Sequence, residues 1–167
     1  MSTSTSTYAY TGTHVATYLT DTVLGTLVEA IAQLGLDPTV VTDSWAENEA
    51  AITQWIFERS LKSVSVEFST PTGKLITVVE FPVEYATAGA DQAQFRASKE
   101  RIRRFLAKWG TLPAGTRTRL LVHFYGPRTP MPGWSPGTAA DRSGLRSISA
   151  GTLATAPGAT ASMTIYD

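Results

Sequence analysis

Acid–base or nucleophilic catalysis needs titratable side chains that meet, and this chain offers few of them. It has two histidines, His14 and His123, and no cysteine. His14 stands near the start of a helical pattern. His123 is in phase with Arg119, Leu121 and Tyr125 inside an apolar stretch, which suits a half-buried histidine on a sheet face. The alternative at position 123 is a base or pH sensor serving a small hydrolase or transferase. Without thiols there is no cysteine nucleophile, zinc–thiolate site or disulfide framework, and neither H-E-x-x-H nor an Asp-rich calcium loop occurs. Gly110 and Gly115, with four residues between them, imitate a phosphate loop. Thr116-Arg117 follows where Lys-Ser/Thr is required, and the stretch runs from a helix into a strand, the reverse of a phosphate-cradling helix N-terminus. Arg96, Lys99, Arg101, Arg103, Arg104 and Lys108 surround the polar side of an amphipathic helix that also carries Glu100. With no aromatic residues interleaved, a solvated face fits them better than a nucleic-acid surface. No catalytic residue, metal or cofactor is expected.

The elements that would position any site follow from periodicity. From His14, the residues Val15, Tyr18, Leu19, Val23, Leu27, Ile31 and Leu34 form one helical stripe, and Gly35 sits where a left-handed C-terminal cap belongs, with Asp37-Pro38 behind it. Ser44 and Glu47 have capping-box spacing, and Trp45, Ile52, Trp55 and Ile56 continue a second helix to about Ser60, its tryptophans filling core. Val64, Val66 and Phe68 alternate with Ser63, Ser65 and Glu67, and a turn at Thr70-Pro71-Thr72-Gly73 leads to a return strand over residues 74–85. Pro82 in that strand predicts an edge position or a bulge. Residues 91–109 read as the clearest helix, with Phe95, Ile102, Phe105, Leu106 and Trp109 on its apolar side and Gly110 as its stop. Residues 116–125, with Leu120-Leu121-Val122 uninterrupted, predict a third strand paired with the hairpin and covered on both faces. The Ser/Thr-rich start, residues 1–10, reads as mobile or as a short strand through Tyr8 and Tyr10. Helices, hairpin, helix and strand in that order give an α+β fold with the helices on one face of an antiparallel sheet.

The 167 residues suit one domain, and 43% hydrophobic residues suffice for a core. A formal charge of +0 gives no general pull toward nucleic acid or an anionic membrane. The start lacks the basic flank and apolar run of a signal peptide, and no stretch approaches the roughly 18 uninterrupted apolar residues of a membrane span, so a cytoplasmic protein is expected.

Residues 126–167 are different. They carry five charges, Arg128, Asp141, Arg142, Arg146 and Asp167, and five of the nine prolines. That is too little charge for a solvated tail and too much Gly and Pro for helices, so the segment is expected to lie in extended form on the rest of the protein. Within it, Pro132-Gly133-Trp134-Ser135-Pro136-Gly137-Thr138 is a stiff turn built round one tryptophan.

The Thr13-His14-Val15-Ala16-Thr17-Tyr18 helix start, the hairpin, the basic helix, the final apolar strand and this P-G-W-x-P-G-T run together resemble the bacterial HORMA domain proteins, regulators of CBASS-type antiphage defence. The resemblance spans essentially the whole chain. It implies a HORMA fold, three helices packed on an antiparallel sheet, with residues 1–125 as core and residues 126–167 as a C-terminal "safety belt" that closes round a short partner peptide. It further implies that Arg119, Leu120, Leu121, Val122, His123, Phe124 and Tyr125 form the strand edge that takes the peptide. Met131, Trp134, Leu145, Ile148, Leu153, Met163, Ile165 and Tyr166 would anchor the belt, though plain packing explains each anchor as well. The implied role is that of a non-enzymatic switch which, closed round its closure-motif peptide, binds and activates a cyclic-oligonucleotide synthase (CD-NTase). An AAA+ ATPase would reopen it by engaging the N-terminus. Removing residues 126–167 is then expected to abolish binding while leaving the helices and hairpin folded. Besides the His123 enzyme, a phage or shell structural protein whose tail docks on a neighbouring subunit is the other alternative.

Overall fold

Helix α1 (Ser2–Gln33) ends in the way Gly35 predicts: Gly35 has φ +80°, its N–H donates to Ala32 O, and Leu36 N–H reaches back to Ile31 O, the paired bonds of a Schellman cap. The computed structural model describes residues 2–86 and 95–167, with side chains from residue 12 onward. The helix begins well before His14, so helix replaces the short strand expected around Tyr8 and Tyr10. Serine and threonine cost only tenths of a kcal/mol each in a helix, and extending an existing helix is far cheaper than nucleating one. Gly12–Gln33 is long and apolar enough to cross a membrane by length and composition, but most of it is buried within the fold. Leu19, Val23, Leu27 and Ile31 are its core stripe.

A one-turn helix α2 (Thr39–Thr42), not foreseen from the sequence, precedes α3 (Trp45–Phe57). Ser44 is the N-cap of α3, yet its side chain makes no capping bond, so the spacing marked the boundary without forming the box. Asn48 instead ties the two helices by donating to Val41 O at 2.9 Å. Strands β1 (Leu61–Ser69) and β2 (Leu75–Tyr85) form the expected hairpin, and β4 (Arg117–Phe124) pairs antiparallel with β1 on its other side.

The tail departs most from expectation. It folds into a second hairpin, β5 (Ser147–Ala156) and β6 (Ala159–Tyr166), and β6 pairs with β2, giving, with the two-residue strand β3 (Arg96–Ala97), one six-stranded sheet in the order β3-β5-β6-β2-β1-β4. Thus β2 is a central strand, which overturns the edge position suggested by Pro82. The proline falls where the β2–β6 ladder skips two rungs, between the pairs Glu80–Thr164 and Val83–Ala161, so its missing N–H costs no bond. Residues 147–166 are consequently part of the core, with Leu153, Met163 and Ile165 fully buried beside Val79, Phe81 and Val83 under the helices.

The basic helix α4 is shorter than predicted, Lys99–Leu106; residues 91–94 lie outside the described residues, and Arg96–Ala97 form the two-residue strand β3 against β5. Phe95 therefore does not join the helical stripe; it meets Tyr18 edge-on at 5.2 Å. Nor is the basic face wholly solvated. Arg101 donates to the carbonyls of Ala150 and Thr152, and Ser98 N–H bonds Leu153 O, so α4 caps the outer edge of β5. Arg103 pairs with Glu29 of α1 at 3.1 Å.

Candidate functional site

With β5 and β6 at one side of the sheet and β4 at the other, residues 126–146 must cross back over four strand spacings, about 19 Å. They form a strap, and its contacts trace the route. It starts on the helix side, where Thr129 donates from its N–H (2.9 Å) and Oγ1 (2.7 Å) to the carboxylate of Glu58, just past α3. Trp55 of α3 returns a bond, Nε1 to Thr129 O, at 2.7 Å. Pro132 and Gly133 then make a turn closed by Trp134 N–H on Met131 O, with Gly133 at φ +84° as position three of a type II turn demands. Any larger residue there would also run into Glu47. The turn delivers Trp134 edge-on to Trp55, ring centres 5.5 Å apart, while Trp55 meets Phe124 of β4 at 4.8 Å.

The strap then passes to the opposite face of the sheet, the one carrying Ser63, Ser65, Glu67 and Glu80. Arg119 of β4 donates to Thr138 O, and Ala140 N–H donates to Glu67 at 2.8 Å. Glu67 is only 3% exposed, yet its charge is met by Arg119 at 2.7 Å as well as by the strap. Next, Arg142 pairs with Glu80 at 3.1 Å and lies 4.7 Å over the ring of Tyr166. Reciprocal bonds between Arg146 and Asp167, each 2.9 Å, bring the chain to β5. Residues 126–146 therefore encircle β4, from the helix side to the far face. Among the described residues no main-chain bond joins the strap to β4, and no strand pairs with its outer edge.

The residues singled out from the sequence take different places. Arg119, Leu120, Leu121, Val122, His123 and Phe124 all lie in β4, and Tyr125 directly follows, its N–H on Ser60 O and its hydroxyl on Val83 O. Leu120, Val122 and Phe124 face the helices; Arg119, Leu121 and His123 face the other way. Met131 and Trp134 pack on the helix-side core from the strap, Leu145 is half-buried, and Tyr166 lies beneath Arg142. Leu153, Met163 and Ile165 are core residues of the tail hairpin, whereas Ile148 is 37% exposed and anchors little. The strongest fastenings, Trp55, Glu58, Glu67, Glu80 and Arg142, were not singled out. Their signal was one of type alone: a tryptophan and carboxylates on otherwise regular elements, whose strap partners are about 70 residues away in the chain.

His123 is half-buried beside Ser65, whose Oγ is 3.3 Å from Nε2. Burial lowers its pKa below 6.5, Arg142 and Lys62 acting the same way against Glu80 and Glu67, so the ring is neutral at pH 7. Glu80 is committed to Arg142, Ser63 and Tyr166, and among the described residues no carboxylate bonds the other imidazole nitrogen, so a nucleophile–base–acid chain is incomplete. No group of three or more metal-ligating side chains occurs among the described residues.

Glu58 titrates with consequence. Partial burial alone would raise its pKa, but the bonds from Thr129, Ser60 and Gln54 outweigh burial and hold it at about 2, against 4.5 in an unfolded chain. A depressed carboxyl stabilises the fold fully above its unfolded pKa and loses that contribution as pH falls toward the folded value. Between about pH 4.5 and 2 the start of the strap should therefore loosen, read as a change in tryptophan fluorescence that precedes global unfolding. In Glu58→Gln that early change should vanish; if it persists, another group is responsible.

The chain matches Bacterial HORMA domain 2 over residues 3–167. It belongs to that family. No curated protein sequence matches it. Among solved structures it is similar to the HORMA protein in the E. coli MS115-1 CdnC:HORMA-deltaN complex (TM-score 0.59, 12% identity, covering 91% of this chain and 86% of that one). It is also similar to a chain of the mitotic checkpoint complex (TM-score 0.68, 9% identity, 90% and 97% covered) and to C. elegans HTP-2 bound to a HIM-3 closure motif (0.60, 15%, 75% and 68%). At these identities the likeness is one of fold: this bacterial HORMA domain has the six-stranded antiparallel sheet and overlying helices of its family.

Proposed function

We propose that this HORMA domain is a peptide-binding adaptor: residues 126–167 are its safety belt, and the outer edge of β4 takes a closure-motif peptide. The observation that carries this is an edge strand with an unused row of main-chain groups, encircled by a strap that makes no main-chain bond to it. A strand added there gains hydrogen bonds along residues 119–125, and the strap makes release require its own opening as well, which slows dissociation. The E. coli HORMA protein in complex with CdnC supports a synthase as the second partner. In this reading the peptide-bound form binds and activates a cyclic-oligonucleotide synthase in antiphage defence, and an AAA+ ATPase reopens it through the N-terminal end of α1. The protein itself is not an enzyme, and His123 is a packing residue of the β4 face.

The test is reconstitution. Purified CD-NTase of the CdnC type, assayed for cyclic-oligonucleotide synthesis, should rise in rate by at least tenfold only when this chain and a bound peptide are both present. Loosening the strap alone with Glu58→Ala plus Arg142→Ala should speed peptide release by about tenfold or more. Synthesis indifferent to the chain, with no complex formed, would sink the adaptor reading.

A further inference from the structure

The two sides of the β4 edge differ in chemistry, and the difference specifies what can lie there. On the helix side, Leu120, Val122 and Phe124 are half-buried against the core with Thr118 in phase, and Met131 and Trp134 of the strap stand beside them; this side is mainly apolar, its one cation among the described residues being Arg128, which lies 4.5 Å over the Phe124 ring at the end away from Arg117. On the opposite side, Arg117 and Arg119 are two residues apart and project from the same face. Arg117 is exposed and has no charged partner among the described residues. Arg119 has half its side chain exposed, 52%; its Nε and Nη2 are engaged by Glu67 and Thr138 O, leaving Nη1 uncommitted. Glu67, the carboxylate facing them, is buried and already satisfied by Arg119 and Ala140 N–H. It has nothing left to neutralise Arg117. Further along the same face come Leu121 and then His123, which adds no positive charge at pH 7.

A strand laid along β4 places its side chains about 5 Å from those of β4 on each face, where opposite charges attract and like charges repel. We infer that the segment captured at the β4 edge alternates bulky apolar residues with acidic ones, the carboxylates clustering toward the end that lies beside Arg117 and Arg119. This inference rests on the peptide-capture reading and narrows it, from any extended peptide to an apolar–acidic one. A basic segment is disfavoured by the same two arginines. A uniformly polar one leaves Val122, Phe124 and Trp134 without cover.

Random nine-residue peptides displayed on phage and selected on the full chain test this, with fluorescein-labelled copies of the winners then measured by anisotropy. Apolar residues should recur at every second position, and Asp or Glu should be enriched at one or two of the positions between. Changing those acids to lysine should weaken binding about fivefold in low salt and less at high salt, as exposed ion pairs of modest strength predict. Arg117→Glu, at an exposed side chain with no charged partner among the described residues, should leave the fold intact by near-UV circular dichroism and reverse the preference to lysine. Winners that are basic or indifferent to charge, or a preference unmoved by Arg117→Glu, overturn the inference while peptide capture stands. Failure to enrich any peptide overturns both.

Discussion

A chain ended at Tyr125 should not fold. The sequence suggests a self-sufficient core of residues 1–125, but the truncation removes two of the six strands and, with them, Leu153, Met163 and Ile165, all essentially buried. Each such side chain contributes about 1.5–3 kcal/mol of burial, so these three alone account for roughly 5–9 kcal/mol, comparable with the whole stability of a typical domain. The truncation also turns β2 into an edge and exposes the face of Val79, Phe81 and Val83 to which β6 was adjacent. The measurement is a urea titration followed by near-UV circular dichroism, with the full chain giving one cooperative transition and the truncated chain none. A truncated chain that unfolds cooperatively, with a slope in proportion to its length, would restore the view of the tail as an appendage. The consequence for any switching is direct: β5 and β6 cannot simply detach, and must exchange one set of buried contacts for another.

Replacing Trp55 with alanine should be the most damaging single change that spares the tail hairpin. Trp55 is 2% exposed, meets Phe124 and Trp134 edge-on, and bonds the strap at Thr129 O, so it joins α3, β4 and the strap at one point. Burial and cavity terms for a core tryptophan give a loss of about 3–5 kcal/mol. For a chain of this size that lowers the melting temperature by about 6–20 °C. Hydrogen exchange should rise selectively at Thr129 and Trp134 before it rises in the helices. Trp55→Phe separates the two contributions, since it keeps an aromatic ring and loses the N–H; its cost should be about 1–2 kcal/mol, with most of the strap effect retained. Equal, small losses in both variants would show that the strap is fastened elsewhere, at Glu58 and Arg142.

Much of this was legible in the residues. Apolar side chains at three- and four-residue spacing gave α1 and α3, alternation gave β1 and β2, the uninterrupted run Leu120-Leu121-Val122 gave β4, and Gly35 marked its helix end to the residue, because these signals are written within one or two turns of chain. The Pro132-Gly133-Trp134 turn was equally local, since φ +84° is a position glycine takes readily. Pro82 was misread in part because a missing N–H reports only that one rung is absent, and an interrupted ladder in a central strand leaves the same mark as an edge.

Periodicity says that a face is buried but never against what. The sequence by itself therefore determined α1, α3, the β1–β2 hairpin and β4, their faces and the family layout of this HORMA domain, but not α2, β3 or the tail hairpin. The tertiary structure alone decided that the tail pairs with β2 and leaves β4 open, and that Trp55, Glu58, Glu67, Glu80 and Arg142 fasten a strap round that edge. Those pairings join residues far apart in the chain, 74 positions for Trp55 and Thr129 and 88 for Val78 and Tyr166, and their choice rests on which neighbours a strand's two sides find after folding, a property of the whole sheet that no short window of sequence contains.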